Sequence, residues 1–117
     1  MDDTQPILPN LIDETIHQRT RLAIIVLLAA VESLEFNEIK AQLRLTDGNL
    51  ATHLGALENA GYVRIEKSFR GKKPLTTVAM TDTGRAALER YVNLLQSVLE
   101  TRKDTSAGRA SDEGDSA

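Results

Sequence analysis

The stretch LTDGNLATHLGALENAGYV, residues 45–63, decides the fold. Leu50, Leu54 and Leu57 recur at i, i+4, i+7 and share one face of an α-helix. Asn49, Thr52, His53 and Ala56 fall at i, i+3, i+4, i+7 and form a second face. That face is small, uncharged and rich in hydrogen-bonding groups. A face that only meets water usually carries Lys and Glu, so this one is suited to close approach. Thr46 is placed to cap a helix over 47–60, and Gly61 to stop it at C′.

Working outward, the chain upstream reads as helices. A short helix is expected over 10–17, begun near Asn10 or Asp13, with Leu11, Ile12, Thr15 and Ile16 on one side. The apolar run LAIIVLLAAV, residues 22–31, belongs to a central helix from Arg19 to about Ser33. Ten apolar residues are too few to span a bilayer, so no membrane role is expected. Ser33 to Phe36 is a short connection. Asn37 is a candidate N-cap for a helix over 38–45, with Ile39 and Leu43 inward and Lys40, Gln42 and Arg44 outward.

After Tyr62 the apolar period changes from 3.6 to 2. Val63 and Ile65 alternate with Arg64 and Glu66, and Val78 and Met80 with Thr77 and Ala79. RGKKP, residues 70–74, separates the two runs with a turn glycine, a proline and three cations. A β-hairpin with a basic end is predicted. Thr81 caps a last helix over 82–101, with an apolar stripe of Leu88, Tyr91, Leu95 and Val98, broadened by Val92, Leu94 and Leu99. The expected organisation is an arm over 1–9, one folded unit over 10–101, and a disordered polar tail over 102–117. The fold class is mainly α with a small β-hairpin (α+β): a winged helix-turn-helix.

Composition narrows the chemistry. There is no cysteine, and His17 and His53 are the two histidines, so disulfides and thiolate or histidine-rich metal sites are not expected, nor is a cofactor. MDDTQPILPN lacks the basic and apolar regions of a signal peptide, so a cytoplasmic location is the default. Net charge is −3, yet residues 40–75 hold 7 basic and 3 acidic side chains, a local +4. Exposed charges act within about 10 Å at moderate salt, so a local basic stretch is an electrostatic footprint even in an acidic chain. No carboxylate pair, nucleophile–base pair or phosphate-cradling glycine loop stands out, and an enzyme is not expected.

The residues also carry a family resemblance. IHQRTRLAIIVLLA (16–29) is similar to the opening helix of ArsR-like regulators. FNEIKAQLRLTDGNLATHLGALENAGYVRIEKSFRGKKPLTTVAMTDTGRAALERY (36–91) resembles the small winged-helix transcriptional regulators of the MarR and ArsR type. Three elements occur in register: LTDGNLxxHLxxLExAGYV, KSFxGxxPxT and LTxxGRAAL, with AMT in place of the usual leucine-threonine. Arg19 stands where relatives often have proline. The cysteines or acidic and histidine ligands of ArsR-type metal sensors are missing, so metal sensing does not carry over.

The resemblance implies a DNA-binding regulator, dimeric, with the 47–60 helix in the major groove of double-stranded DNA. Within it, Asn49 and Thr52 are candidates for base edges. Gly48 suits close approach of backbone to phosphate. Asp47 either accepts from cytosine N4 or helps cap. His53 either meets phosphate or packs. Arg70, Lys72 and Lys73 are candidates for phosphate or minor-groove contact, with Lys40 and Arg44 as backbone clamps. The surplus apolar surface of Leu11, Ile12, Ile16, Leu88, Tyr91, Leu95 and Val98 predicts a homodimer interface. A repressor on a pseudo-palindromic operator is the leading reading, and a winged-helix module that docks proteins without DNA is the alternative. A small-molecule effector is left open.

Overall fold

Local caps set the first helix boundaries in the computed structural model, which describes residues 11–114, with side chains as far as Glu100. Asp13 opens α1 (Glu14–His17), its carboxylate accepting from the N–H groups of Thr15 and Ile16 at 2.9 and 3.2 Å. The helix predicted over 10–17 therefore starts later, because Asp13 is extended; residue 10 lies outside the described residues. Gln18 is also extended, and its side-chain oxygen accepts from the N–H of Arg21 at 2.8 Å. A new helix, α2 (Arg19–Ala29), begins there. Arg19 holds the first helical position, where proline's missing N–H would cost nothing.

The predicted extension of α2 to Ser33 does not form. Leu34–Glu35 is instead a two-residue strand, β1, paired antiparallel with Val78 and Thr77. That pairing keeps the chain extended as far as Glu35, so α3 (Phe36–Leu43) is capped by Glu35 rather than by Asn37. The Glu35 N–H donates to the Glu38 carboxylate at 2.8 Å, half of a capping box. Arg44 then takes a left-handed backbone (φ 55°), and the Leu45 N–H donates to the Lys40 carbonyl at 3.0 Å. This tight turn aims α4 (Asp47–Asn59) away from α3. Thr46 caps α4 by accepting from the Asn49 N–H at 3.1 Å, and Gly61 (φ 81°) follows its end, as expected.

β2 (Val63–Arg70) and β3 (Lys73–Met80) form the hairpin, and the sheet order is β1-β3-β2. The strands run further than the sequence suggests, so RGKKP is not a loop: Lys73 and Pro74 lie in β3, and the turn is Gly71-Lys72 with Gly71 at φ 65°. Proline is tolerated because β1 reaches only Thr77, leaving one edge of β3 unpaired at Pro74.

Ile24, Ile25 and Leu28 of α2, Ile39 of α3, Leu50, Leu54 and Leu57 of α4, and Val63 and Val78 of the sheet close the core. The leucine stripe of α4 is thus its inner face. The Thr81 hydroxyl oxygen accepts from the Gly84 N–H at 2.9 Å and starts α5 (Asp82–Gly114). A Cβ at Gly84 would lie 2.2 Å from the Tyr62 carbonyl oxygen, so this crossing admits only glycine. The helical backbone continues to Gly114, where the composition predicts an irregular tail; Ala107, Arg109, Ala110 and Glu113 favour helix and offset Gly108 and the serines. Residues 1–10 and 115–117 lie outside the described residues. No described helix is long and apolar enough to cross a membrane.

Candidate nucleic-acid interface

The tight turn at Arg44 and the cap at Thr46 present the first two turns of α4 to solvent. Asp47, Gly48, Asn49, Ala51 and Thr52 are all exposed. The Asn49 side chain has no partner among the described residues, so its amide is free to donate and accept at once. Thr52 donates its hydroxyl to the Gly48 carbonyl at 2.9 Å, which leaves the oxygen's lone pairs facing out. Apart from its chain neighbours and its own helix backbone, nothing among the described residues lies within 4 Å of a Cβ built at Gly48. The accessible face is rotated from the one the spacing suggests. His53 and Ala56 are half-buried toward α1 and α2, whereas Ala51, not singled out from the sequence, is open.

His53 is packed rather than presented. Its Nδ1 lies 3.4 Å from a guanidinium nitrogen of Arg21, whose Nε donates to the Thr15 carbonyl at 2.7 Å. Arginine can only donate, so Nδ1 accepts and the ring is neutral, with its N–H at Nε2. Desolvation, and then the charge of Arg21, hold its pKa below the usual histidine value. Of the two readings open from sequence, the packed histidine is the one the geometry matches. Arg21 is a partner that sequence reasoning missed, because it arrives from 32 residues away.

The cations divide into paired and unpaired. Lys40 Nζ sits 2.7 Å from the Asp47 carboxylate, so two candidate DNA contacts neutralise one another across the turn. Arg70 meets the Glu35 carboxylate at 2.5 Å, and this hydrogen bond raises its already high pKa. Arg44, Lys72 and Lys73 are exposed with no ion-pair partner among the described residues.

The predicted interface residues also divide. Ile16 is fully enclosed by its own chain and is not available to a second copy, and Leu88 is partly buried against the core. Periodicity marks Ile16 as interfacial because it cannot separate a covered face from a spare one. Ile12 and Tyr91 are half-buried, and the Tyr91 hydroxyl lies 3.0 Å from His17 Nδ1. Leu11, Leu95 and Val98 are exposed, joined by Val92 and Leu99 on α5. The Tyr62 hydroxyl donates to Asp13 at 2.5 Å and ties the end of α4 to α1; burial and this carboxylate raise its pKa. Among the described residues, no three His, Asp or Glu side chains gather as a metal site would require.

A helical frame that carries a capped, exposed polar helix and a basic two-stranded wing is a winged helix-turn-helix. The family described as winged helix DNA-binding domain matches residues 20–99. The chain belongs to that family. It is 42% identical over 72 residues to an uncharacterized protein of Methanocaldococcus jannaschii, covering 62% of this chain and 78% of that one. A transcriptional regulator homologue from Pyrococcus horikoshii superposes with a TM-score of 0.73 at 29% identity, over 80% of this chain and 94% of the other. The DNA-bound structure of reduced AbfR shares the fold at a TM-score of 0.60 and 20% identity, over 92% and 83% of the two chains.

Proposed function

We propose that this protein is a transcriptional regulator, in the first instance a repressor, that binds a pseudo-palindromic operator as a homodimer. The observation that carries the reading is an exposed, uncharged α4 face, Asn49-Ala51-Thr52, on a helix packed against β2, whose hairpin ends in the unpaired cations Lys72 and Lys73. Small polar groups at a helix N-terminus fit the major groove, where donor and acceptor patterns distinguish all four base pairs. Lysines on the hairpin supply sequence-blind affinity from phosphates. Residues Leu11, Val92, Leu95, Val98 and Leu99 supply the surface on which two copies meet, and two-fold symmetry would then repeat the reading helix along the duplex. The regulator homologue of Pyrococcus horikoshii and the DNA-bound AbfR support the same assignment. A cytoplasmic location and the absence of enzymatic activity belong to it.

The docking-module reading draws on the pairing of Lys40 with Asp47 and Arg70 with Glu35, which lowers the free positive charge. One experiment separates the two. In a mobility shift on the DNA upstream of its own gene, against scrambled competitor across a salt series, a regulator retains preference for the upstream fragment. A docking module binds neither above background. Light scattering on the same sample is expected to return about twice 12.8 kDa.

A further inference from the structure

The two faces of the wing differ in chemistry. Directly paired residues of an antiparallel ladder share a face, so Val63, Ile65, Lys67 and Phe69 lie with Met80, Val78, Thr76 and Pro74. Arg64, Glu66, Ser68 and Arg70 occupy the other face with Ala79, Thr77, Leu75 and Lys73. On the second face Arg64 meets Glu66 at 3.7 Å and Arg70 meets Glu35 at 2.5 Å, which leaves Lys73 at the tip as its one cation without an ion-pair partner among the described residues. At its base the first face closes the core against α4 through Val63 and Val78. Further out, that same face leaves the protein. Phe69 emerges there 70% exposed, two residues from Lys67, which has no ion-pair partner among the described residues.

An aromatic side chain this exposed at the end of a rigid ladder forfeits most of its burial free energy unless something covers it. The covering surface has to be apolar in front of Phe69 and anionic around Lys67 and Lys72. It also has to approach from the side of the wing that faces α4. The minor groove of a duplex read by α4 meets all three conditions, with sugars and base edges framed by phosphates. We propose that Phe69 is an apolar wedge that enters the minor groove beside the segment read by α4 and partly unstacks one base step. The proposal rests on the DNA-binding reading above. Pyrimidine–purine steps unstack most easily, so the wedge favours TA or CA at a position that no side chain hydrogen-bonds.

The test uses the full-length protein and the DNA fragment it prefers in the mobility shift. 2-Aminopurine is placed in turn at each step flanking the helix-read segment, and fluorescence and Kd are measured for the parent, Phe69→Ala and Phe69→Leu. The parent is expected to brighten the probe at one step per half-site. Phe69→Ala is expected to abolish that signal and raise Kd about tenfold with the salt slope unchanged, as for loss of one stacked contact. Phe69→Leu keeps most of both. Exchanging the TA or CA step for AA weakens the parent severalfold and leaves Phe69→Ala untouched. Circular dichroism and melting of the variants match the parent, since the side chain is on the surface. If the parent selects its DNA but Phe69→Ala matches it in Kd and probe signal, the wedge is overturned while the DNA reading stands. Weakened binding with no probe signal at any step also overturns it. So does Phe69-dependent partition onto phosphatidylglycerol vesicles with no change on DNA. Absence of any DNA preference in the parent removes the underlying reading instead.

Discussion

Helix α4 and the wing adjoin where Ala51 and Gly55 meet Ile65 and Lys67, yet they are built on opposite principles. α4 spends its inner face on Leu50, Leu54 and Leu57, all buried, and exposes the uncharged group Asn49, Ala51 and Thr52 between the carboxylates Asp47 and Glu58. The wing is held by its ladder, with only Val63 and Val78 buried, and exposes lysines and an aromatic ring. A surface without charge has little long-range pull, but it discriminates through the geometry of its hydrogen bonds. A surface rich in charge pulls on any duplex and discriminates weakly. On the proposed function, placing one beside the other would separate choice of sequence from strength of binding, so the two regions are expected to fail differently when damaged.

The largest expected effect is on α4 itself. Leu54→Ala empties a core site that is 2% exposed and is expected to cost about 2–5 kcal/mol of stability in denaturant unfolding. The wing joint comes next. Gly84→Ala drives a Cβ into the Tyr62 carbonyl and is expected to cost about 1–3 kcal/mol, with α5 shifting from the sheet. An unchanged midpoint in urea for either variant contradicts the packing described.

On the exposed side of α4, Asn49→Ala is expected to cost roughly 1–3 kcal/mol at the preferred site and to flatten discrimination at one position per half-site. The salt slope stays as it was. If instead every sequence weakens equally, Asn49 is a backbone contact and the contrast between helix and wing narrows.

The smallest effect is a pH dependence. Burial and Arg21 lower the folded-state pKa of His53 below its unfolded value near 6.5. Above that value both states hold it neutral and it contributes nothing to pH dependence. As pH falls from about 6.5 toward the lowered folded value, the unfolded chain takes up the proton first, and stability declines. Thermal melts between pH 7.5 and 5.5 are expected to show this decline in the parent and less of it in His53→Gln.

The parts of this architecture legible in the sequence are those written in local order. Thr46, the leucine spacing and Gly61 fix α4 within one residue because caps and periodicity involve near neighbours. The alternation of Val63 and Ile65 announces the hairpin for the same reason. β1 is two residues long and exists only because Val78 and Thr77 offer it a partner, so no local signal marks it, and the cap it moves from Asn37 to Glu35 goes with it. The candidate site follows the same rule. Asn49, Thr52, Lys72 and Lys73 are exposed as read, while His53, Lys40 and Arg70 are claimed by Arg21, Asp47 and Glu35. Ile16 was indistinguishable from Leu11 in periodicity, and only the fold shows which of them has a neighbour.

The central claim is that helix and wing divide selectivity from affinity on one duplex, and a single set of binding isotherms tests it. Parent and Lys72→Ala/Lys73→Ala proteins are titrated at several salt concentrations onto the preferred fragment and onto single-mismatch fragments. If both lysines meet phosphate in each subunit of a dimer, up to four contacts are lost, and the slope of log K against log salt becomes shallower by about 3 to 4 units. The ratio of affinities between matched and mismatched DNA then stays nearly constant. An unchanged slope, or a loss of discrimination that matches the loss of affinity, contradicts the division of labour.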